Sequence, residues 1–284
     1  MADDESRPRF TLYYTPTSFY SHKVLMALYE KGELFTEKVV HLGKGEGVAR
    51  WYMEINPAGQ VPVLGDRGKL IPESEAIIDY IDREIANEPK LVPSPDSDLG
   101  KSVDKFRKLL KQTPVEVLTG GLMYNPEMAP GGTCSPTHKA ERDEYFIQQE
   151  AKLTKMAEEE VDLKEAYLKK AAVVKARSQV VRDQSRVQAA IDAVHPVLDE
   201  VEDQLSRTKQ GAEGENWLCG SGFTAADINL VVLLKRLTKL GLFSIYCSSN
   251  NRKSLWDYWE RVQKRLPFIK ITEVEKNYLK LLQK

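Results

Sequence analysis

The chain has 284 residues, 42% of them hydrophobic and 29% charged, and its 41 Lys+Arg against 42 Asp+Glu leave a formal net charge of -1. That is the balance of a globular protein long enough for one large domain or two medium ones, and it excludes whole-chain disorder, collagen and disulfide scaffolds. There is no basic excess to draw the chain onto nucleic acid or an anionic membrane. The three cysteines, Cys134, Cys219 and Cys247, are far apart and form no CxxC. They argue against a disulfide framework or a zinc cluster and for a reducing compartment. The acidic start, Met1 to Glu5, has no apolar run of a secretory signal. The most apolar stretch, Leu230 to Leu234, is stopped by Lys235 and Arg236, far short of the ~20 residues of a membrane span. The expectation is a soluble, cytoplasmic chain.

Phe10 to Tyr14 is short, aromatic and β-prone, and reads as a strand broken by Thr15-Pro16-Thr17. Ser18 then opens a helix whose apolar face is Val24, Leu25, Leu28 and Tyr29 and which Gly32 ends. A second strand is predicted over Phe35 to Leu42, a loop over Gly43 to Gly47 and a short helix over Val48 to Ile55. Two more strands, Val61 to Leu64 and Lys69 to Ile71, flank a turn at Asp66 to Gly68. A helix follows over Ser74 to Ile85. The order βαβα then ββα implies a four-stranded mixed sheet with helices on it. Asn87 to Pro95 is polar, holds three prolines and reads as a linker.

Beyond the linker no strand pair is evident. Val103, Phe106, Leu109 and Leu110 have helical spacing, and Met123 to Pro136 is a Gly- and Pro-rich loop. Val187, Ile191, Val194, Leu198, Val201 and Leu205 step by four and three, a helix face that Pro196 should kink or restart. Helices close the chain over Asp227 to Leu242, Leu255 to Val262 and Ile269 to Leu282. Thr137 to Arg186 stands apart: it is dense in Glu, Lys, Arg and Gln, with a thin apolar stripe at Leu153, Met156, Val161 and Leu163. It reads as a solvated helical hairpin or one long exposed helix, with a partner-binding arm as the functional alternative. The chain thus divides into an α/β domain over residues 8–87 and an all-α domain over 96–284 that carries an insertion at about 137–186.

Three features of the first domain point to chemistry. Tyr13 to Ser21 ends a strand and opens a helix, whose unpaired N–H groups favour an anion. Ser18 there is either an N-cap or a hydroxyl that donates to a thiolate and lowers its pKa. In Asn56 to Leu64, Pro62 stands just before a strand. A cis Val61–Pro62 bond would leave the Val61 backbone free to pair with an extended peptide, whereas a trans bond would make this a plain loop. In Ile71 to Ile78, Glu73 suits an ammonium, and Ser74 with the helix-start N–H groups suits a carboxylate. A simple helix cap is the alternative for the last pattern.

In this order and spacing the three features resemble the thioredoxin-like domain of glutathione transferases, and the helical remainder resembles their second domain. Phe223-Thr224-Ala225-Ala226-Asp227 resembles that domain's capping-box segment, and Trp217-Leu218-Cys219-Gly220 precedes it. Ser18 to Val24, Ile77 to Tyr80 and Trp217 to Ile228, together with the charged insertion, resemble the ganglioside-induced differentiation-associated protein group of that superfamily. The resemblance implies an extended glutathione as substrate, with Val61 pairing with its cysteinyl unit, Gln60 helping to orient it, Glu73 and Ser74 holding its γ-glutamyl end, and Ser18 as the catalytic hydroxyl beside its sulfur. It also implies a small electrophile as second substrate, a homodimer, and, where a C-terminal hydrophobic tail is present, attachment to the mitochondrial outer membrane. Tyr14, placed in the core strand, and Tyr20, inside the helix start, are weaker choices for the sulfur. His41 could line the same site.

Departures from the pattern are informative. No cysteine occupies the strand end, which disfavours mechanisms that need a protein thiolate. Glu75 follows Ser74 where a basic residue is often found, and its charge would repel the ligand unless it points away. Two readings stand: a glutathione transferase, or a catalytically weak sensor or interaction module on the same scaffold, working through the insertion.

Overall fold

The computed structural model describes residues 8–210 and 216–283; Met1 to Glu5 and the last residue lie outside the described residues. Strand β1 (Phe10–Tyr14) pairs in parallel with β2 (Phe35–Val39) and antiparallel with β3 (Val63–Asp66), which pairs antiparallel with β4 (Lys69–Pro72). The sheet order is β2-β1-β3-β4. Helices α1 (Phe19–Glu30), α2 (Arg50–Met53) and α3 (Ser74–Glu84) complete a thioredoxin-like domain. β1 begins and ends where the sequence predicts. β3 starts two residues later than expected, because Pro62 has no N–H to give the ladder. The hairpin turn falls on Arg67 and Gly68 at φ 48° and 85°, the left-handed pair that a two-residue hairpin uses. Asp66 therefore belongs to the strand, where it accepts from Arg9 and from the Tyr80 hydroxyl.

The linker is pinned rather than loose. Buried Asp82 accepts from the Leu91 and Val92 N–H groups at 2.8 and 3.1 Å and pairs with Lys31 and Lys90. Leu91 in turn accepts the Ala225 N–H at 2.8 Å.

The second domain is helical: α4 (Asp98–Lys111), α5 (Val115–Tyr124), α6 (His138–Glu159), α7 (Lys164–Arg182), α8 (Gln184–Asp192), α9 (Val194–Gln210), α10 (Ala225–Lys239), α11 (Phe243–Tyr246), α12 (Lys253–Val262) and α13 (Leu266–Leu282). Pro196 sits in the first turn of α9, where its missing N–H breaks no helical bond, so it marks a restart rather than a kink. α5 has no counterpart in the sequence reading, since two glycines and β-branched residues give it little intrinsic preference. Packing decides it: a Cβ on Gly121 would stand 2.6 Å from a Val187 methyl, and one on Gly120 2.9 Å from a Val181 methyl. One continuous apolar core runs from Phe10, Leu12 and Leu64 of the sheet, through Val24 and Leu28 of α1, to Ile228, Val231 and Leu234 of α10. Asp227 anchors the start of α10. Fully buried, it accepts from the N–H groups of Leu218 and Thr224, both at 2.8 Å, from the Thr224 hydroxyl at 2.9 Å and from Tyr258 at 3.1 Å.

The charged segment is a hairpin, α6 against α7, and one of its faces is not solvated. Leu153, Ala157, Tyr167 and Ala171 form a buried cluster with Met53 of α2, joined at its edge by Met156 and Leu163. The thin stripe of the sequence suffices because the two helices bury it against each other and Met53 of the other domain, with Val48 at the edge, closes it off.

Candidate functional site

The sheet register gathers the three motifs. Tyr13 pairs with Val63 and Val63 with Pro72, so one row across β1, β3 and β4 is followed outward by Ser18, preceded by Val61 and followed by Glu73. Helices α1 and α3 both begin at this end, so both present unpaired N–H groups and partial positive charge there.

Ser18 is the N-cap of α1, at φ -77° and ψ 129°, and its Oγ accepts the Ser21 N–H at 3.3 Å. Capping uses a lone pair of Oγ. The hydroxyl proton has no acceptor among the described residues, so capping and donation to a thiolate are compatible rather than rival roles. The loop before it is held at two consecutive carbonyls. The His22 Nε2–H donates to Pro16 O at 2.6 Å and the Arg236 Nη2–H to Thr17 O at 2.9 Å. Arg236 is buried, so its positive charge lies close behind the α1 N-terminus with little solvent to screen it.

The two tyrosines are committed elsewhere. Buried Tyr14 donates its hydroxyl to Glu37. Tyr20, 37% exposed, donates to Glu116 of α5 at 3.2 Å, and burial of its ring together with that carboxylate pushes its hydroxyl up to about 12. His41 stacks on Tyr278 of α13, Nδ1 lying 3.1 Å from the tyrosine oxygen.

The Val61–Pro62 bond is cis. Among the described residues the Val61 N–H and carbonyl take no hydrogen-bond partner, while the Gln60 carbonyl just before them accepts from Tyr52 at 2.6 Å and from Asn56 at 2.8 Å. The Gln60 side chain is exposed. Glu73 is exposed and left-handed, at φ 70° and ψ 114°. A non-glycine residue there is strained by about 1–3 kcal/mol, and such residues concentrate at binding sites. Ser74 follows as the first, buried residue of α3.

Glu75 does not oppose an anionic ligand. It pairs with Lys23 at 2.8 Å and with Arg107 of α4 at 2.8 Å, and Arg107 also reaches Asp79 at 2.7 Å. Burial alone would raise the Glu75 carboxyl, but Lys23 and Arg107 outweigh it and hold it below its usual value. Arg107 thereby ties α3 to the helical domain.

Two further side chains, which no local motif marks, reach the backbone of the candidate site. Arg236 is one; Lys170 of α7 is the other, its ammonium donating to Ala58 O at 2.7 Å and Gly59 O at 3.1 Å. Both act on backbone carbonyls remote in sequence, and no local motif marks such pairs.

Residues 12–89 match the family model for the glutathione S-transferase N-terminal domain and residues 184–266 the one for its C-terminal domain. The segment between the two matches contains α6 and α7. The human ganglioside-induced differentiation-associated protein 1-like 1 is 33% identical over 271 residues, covering 93% of this chain and 74% of that protein. Glutathione S-transferase TCHQD of Arabidopsis thaliana is 26% identical over 92% of this chain and 88% of its own. Glutathione transferase URE2P8 from Phanerochaete chrysosporium, crystallised with oxidized glutathione, shares the fold with a TM-score of 0.66 at 16% identity, covering 96% of this chain and 97% of that one. The chain belongs to the glutathione transferase superfamily, in its ganglioside-induced differentiation-associated protein group.

Proposed function

We propose that this protein binds reduced glutathione across the end of the sheet and activates its thiol for attack on a small electrophile. Glu73 takes the γ-glutamyl ammonium, and Ser74 with the first N–H groups of α3 takes the neighbouring carboxylate. The free Val61 N–H and carbonyl pair with the cysteinyl unit, β-fashion, and the Gln60 side chain orients the peptide. Ser18 donates to the sulfur. The thiol proton leaves to solvent, the sulfur–carbon bond forms, and in a substitution the leaving group departs with its electron pair.

One observation carries this reading: the Ser18 hydroxyl caps α1 through a lone pair and keeps an uncommitted proton, at a helix start backed by buried Arg236. Thiolate stabilisation needs such a donor in a positive field. The test is isothermal titration with glutathione, then turnover of a chromogenic electrophile by wild type and Ser18→Ala. Loss of the donor should cut kcat by about 100-fold and move the pH profile of kcat/KM toward the ~8.5 of a free thiol. Turnover unaffected by Ser18→Ala would remove the assignment.

A second reading, a sensor or interaction module, draws on the insertion, which leaves Ile147, Val161, Leu168 and Val173 exposed. Glutathione binding without turnover would favour it. A homodimer, and a cytoplasmic or outer-mitochondrial-membrane location, belong to the proposal as well, to be tested by light scattering and by imaging in cells. Among the described residues no helix is long and apolar enough to cross a membrane.

A further inference from the structure

The charged hairpin is the feature of the chain that the reading above leaves without a role. Its contacts with the first domain fall on α2 and on the loop just before Val61. At its tip, Glu160 and Asp162 both pair with Arg50 of α2. Beneath the tip, Tyr167 and Ala171 pack with Leu153, Ala157 and Met53. Lys170 lies three residues after Tyr167, a spacing that makes the two neighbours on the surface of α7. Its ammonium ends on the carbonyls of Ala58 and Gly59.

Those two carbonyls complete a series. Ala58 O and Gly59 O accept from Lys170, and Gln60 O accepts from Tyr52 and Asn56. Three consecutive carbonyls are thus held by side chains, and the next residue, Val61, is left with its backbone groups unused. The loop is tight on its other side too. Gly59 has φ 57°, and a Cβ there would meet the Gly47 carbonyl oxygen at 2.5 Å, the Met53 sulfur at 3.3 Å and the Lys170 nitrogen at 3.4 Å. An ammonium suits the place because it donates to both oxygens at once and shortens the bonds through its charge. Burial disfavours that charge, and Arg177 adds to the effect, so the Lys170 ammonium titrates below its usual value. Its two carbonyl partners are what hold it there.

We propose that the insertion is an internal strut of the glutathione site, and that Lys170 is a positioning residue which holds the Ala58–Gly59 peptides so that Val61 is presented to the ligand. This rests on the glutathione reading for its functional half and on the loop geometry alone for its structural half.

The experiment follows both halves in the full-length protein. Lys170→Met should speed hydrogen exchange of the Ala58 and Gly59 amides, which are bonded within the loop to Asn56 at 3.1 and 2.8 Å, by about tenfold or more in the ligand-free state, as expected when the charge-assisted hydrogen bonds of the ammonium to both carbonyls are lost. The glutathione Kd and KM should rise by about the same factor, with kcat within about twofold because Lys170 makes no interaction special to the transition state. Lys170→Arg should restore both readouts, and Lys169→Met, an exposed neighbour, should change neither. Lys170→Gln serves as a second uncharged variant should the methionine impair folding. Unchanged exchange in the uncharged variants would overturn the strut, as would a fall in kcat at constant KM. If wild type itself binds no glutathione, the functional reading fails while the exchange data still decide whether Lys170 holds the loop.

Discussion

Acidification should weaken this fold through one imidazole. His22 is 2% exposed in α1, its Nε2–H donating to Pro16 O and its ring 3.9 Å from the Glu275 carboxylate of α13. Burial, then the nearby Lys235 ammonium, then Arg236, oppose a proton on the ring, while Glu275 and the Pro16 carbonyl favour one; the balance lowers the ring to about 3. Burial is the largest of these effects, and the one carboxylate that favours the proton, Glu275, is already shared between Lys235 and Lys239. An unfolded histidine titrates near 6.5. Between those values the unfolded chain binds a proton that the native chain refuses, so stability is full above about pH 6.5 and falls as pH drops toward 3. The slope is about 1.4 kcal/mol per pH unit for one group, or about 2 kcal/mol between pH 6.5 and 5.0. In that window Glu275, held down to about 2 because Lys235 and Lys239 outweigh the burial that would raise it, stays ionised in the native chain, and its own contribution to the slope becomes appreciable only below about pH 5, where an unfolded glutamate begins to take up a proton. Urea unfolding followed by tryptophan fluorescence at pH 7.5, 6.5, 5.5 and 5.0 measures the loss. His22→Gln keeps an amide donor and removes the titration, so its curve should be flatter than wild type by that slope. Parallel curves for the two proteins would refute the reasoning, because the acid-sensitive group would then lie elsewhere.

Other substitutions test other joints. Asp227→Ala strands two N–H groups and two hydroxyls in the core and should cost about 4 kcal/mol, seen as a Tm lower by about 10 °C. Glu73→Gly relieves a left-handed residue and Glu73→Ala does not, so the glycine variant should be the more stable by about 1 kcal/mol in urea, although both lose affinity for glutathione. Met53→Ala opens a cavity under the hairpin and should cost about 3 kcal/mol, with faster proteolysis confined to α6 and α7 if the hairpin loosens first.

Periodicity and punctuation made much of this architecture legible in advance. β1, the α1 start at Ser18, the α3 start at Ser74 and the capping box at Thr224 and Asp227 rest on side chains acting within a few residues of themselves, and they stand where local chemistry puts them. Whether Ser18 caps α1 was undecidable from its neighbours; the observed bond from Ser21 shows that it does, through a lone pair that leaves the hydroxyl proton uncommitted among the described residues. The Glu75 charge looked like an obstacle until Lys23 and Arg107 were placed against it.

The sequence alone determined the two-part layout, the family resemblance and the residue types at the sheet end, because hydrophobic period, turn chemistry and helix caps are local properties of the chain. Tertiary structure alone decided that α5 exists, that the charged hairpin docks on α2, and that Lys170 and Arg236 hold carbonyls of the groove. Each of those depends on a partner far along the chain, brought near only when the common core forms, and a one-dimensional pattern carries no record of that distance.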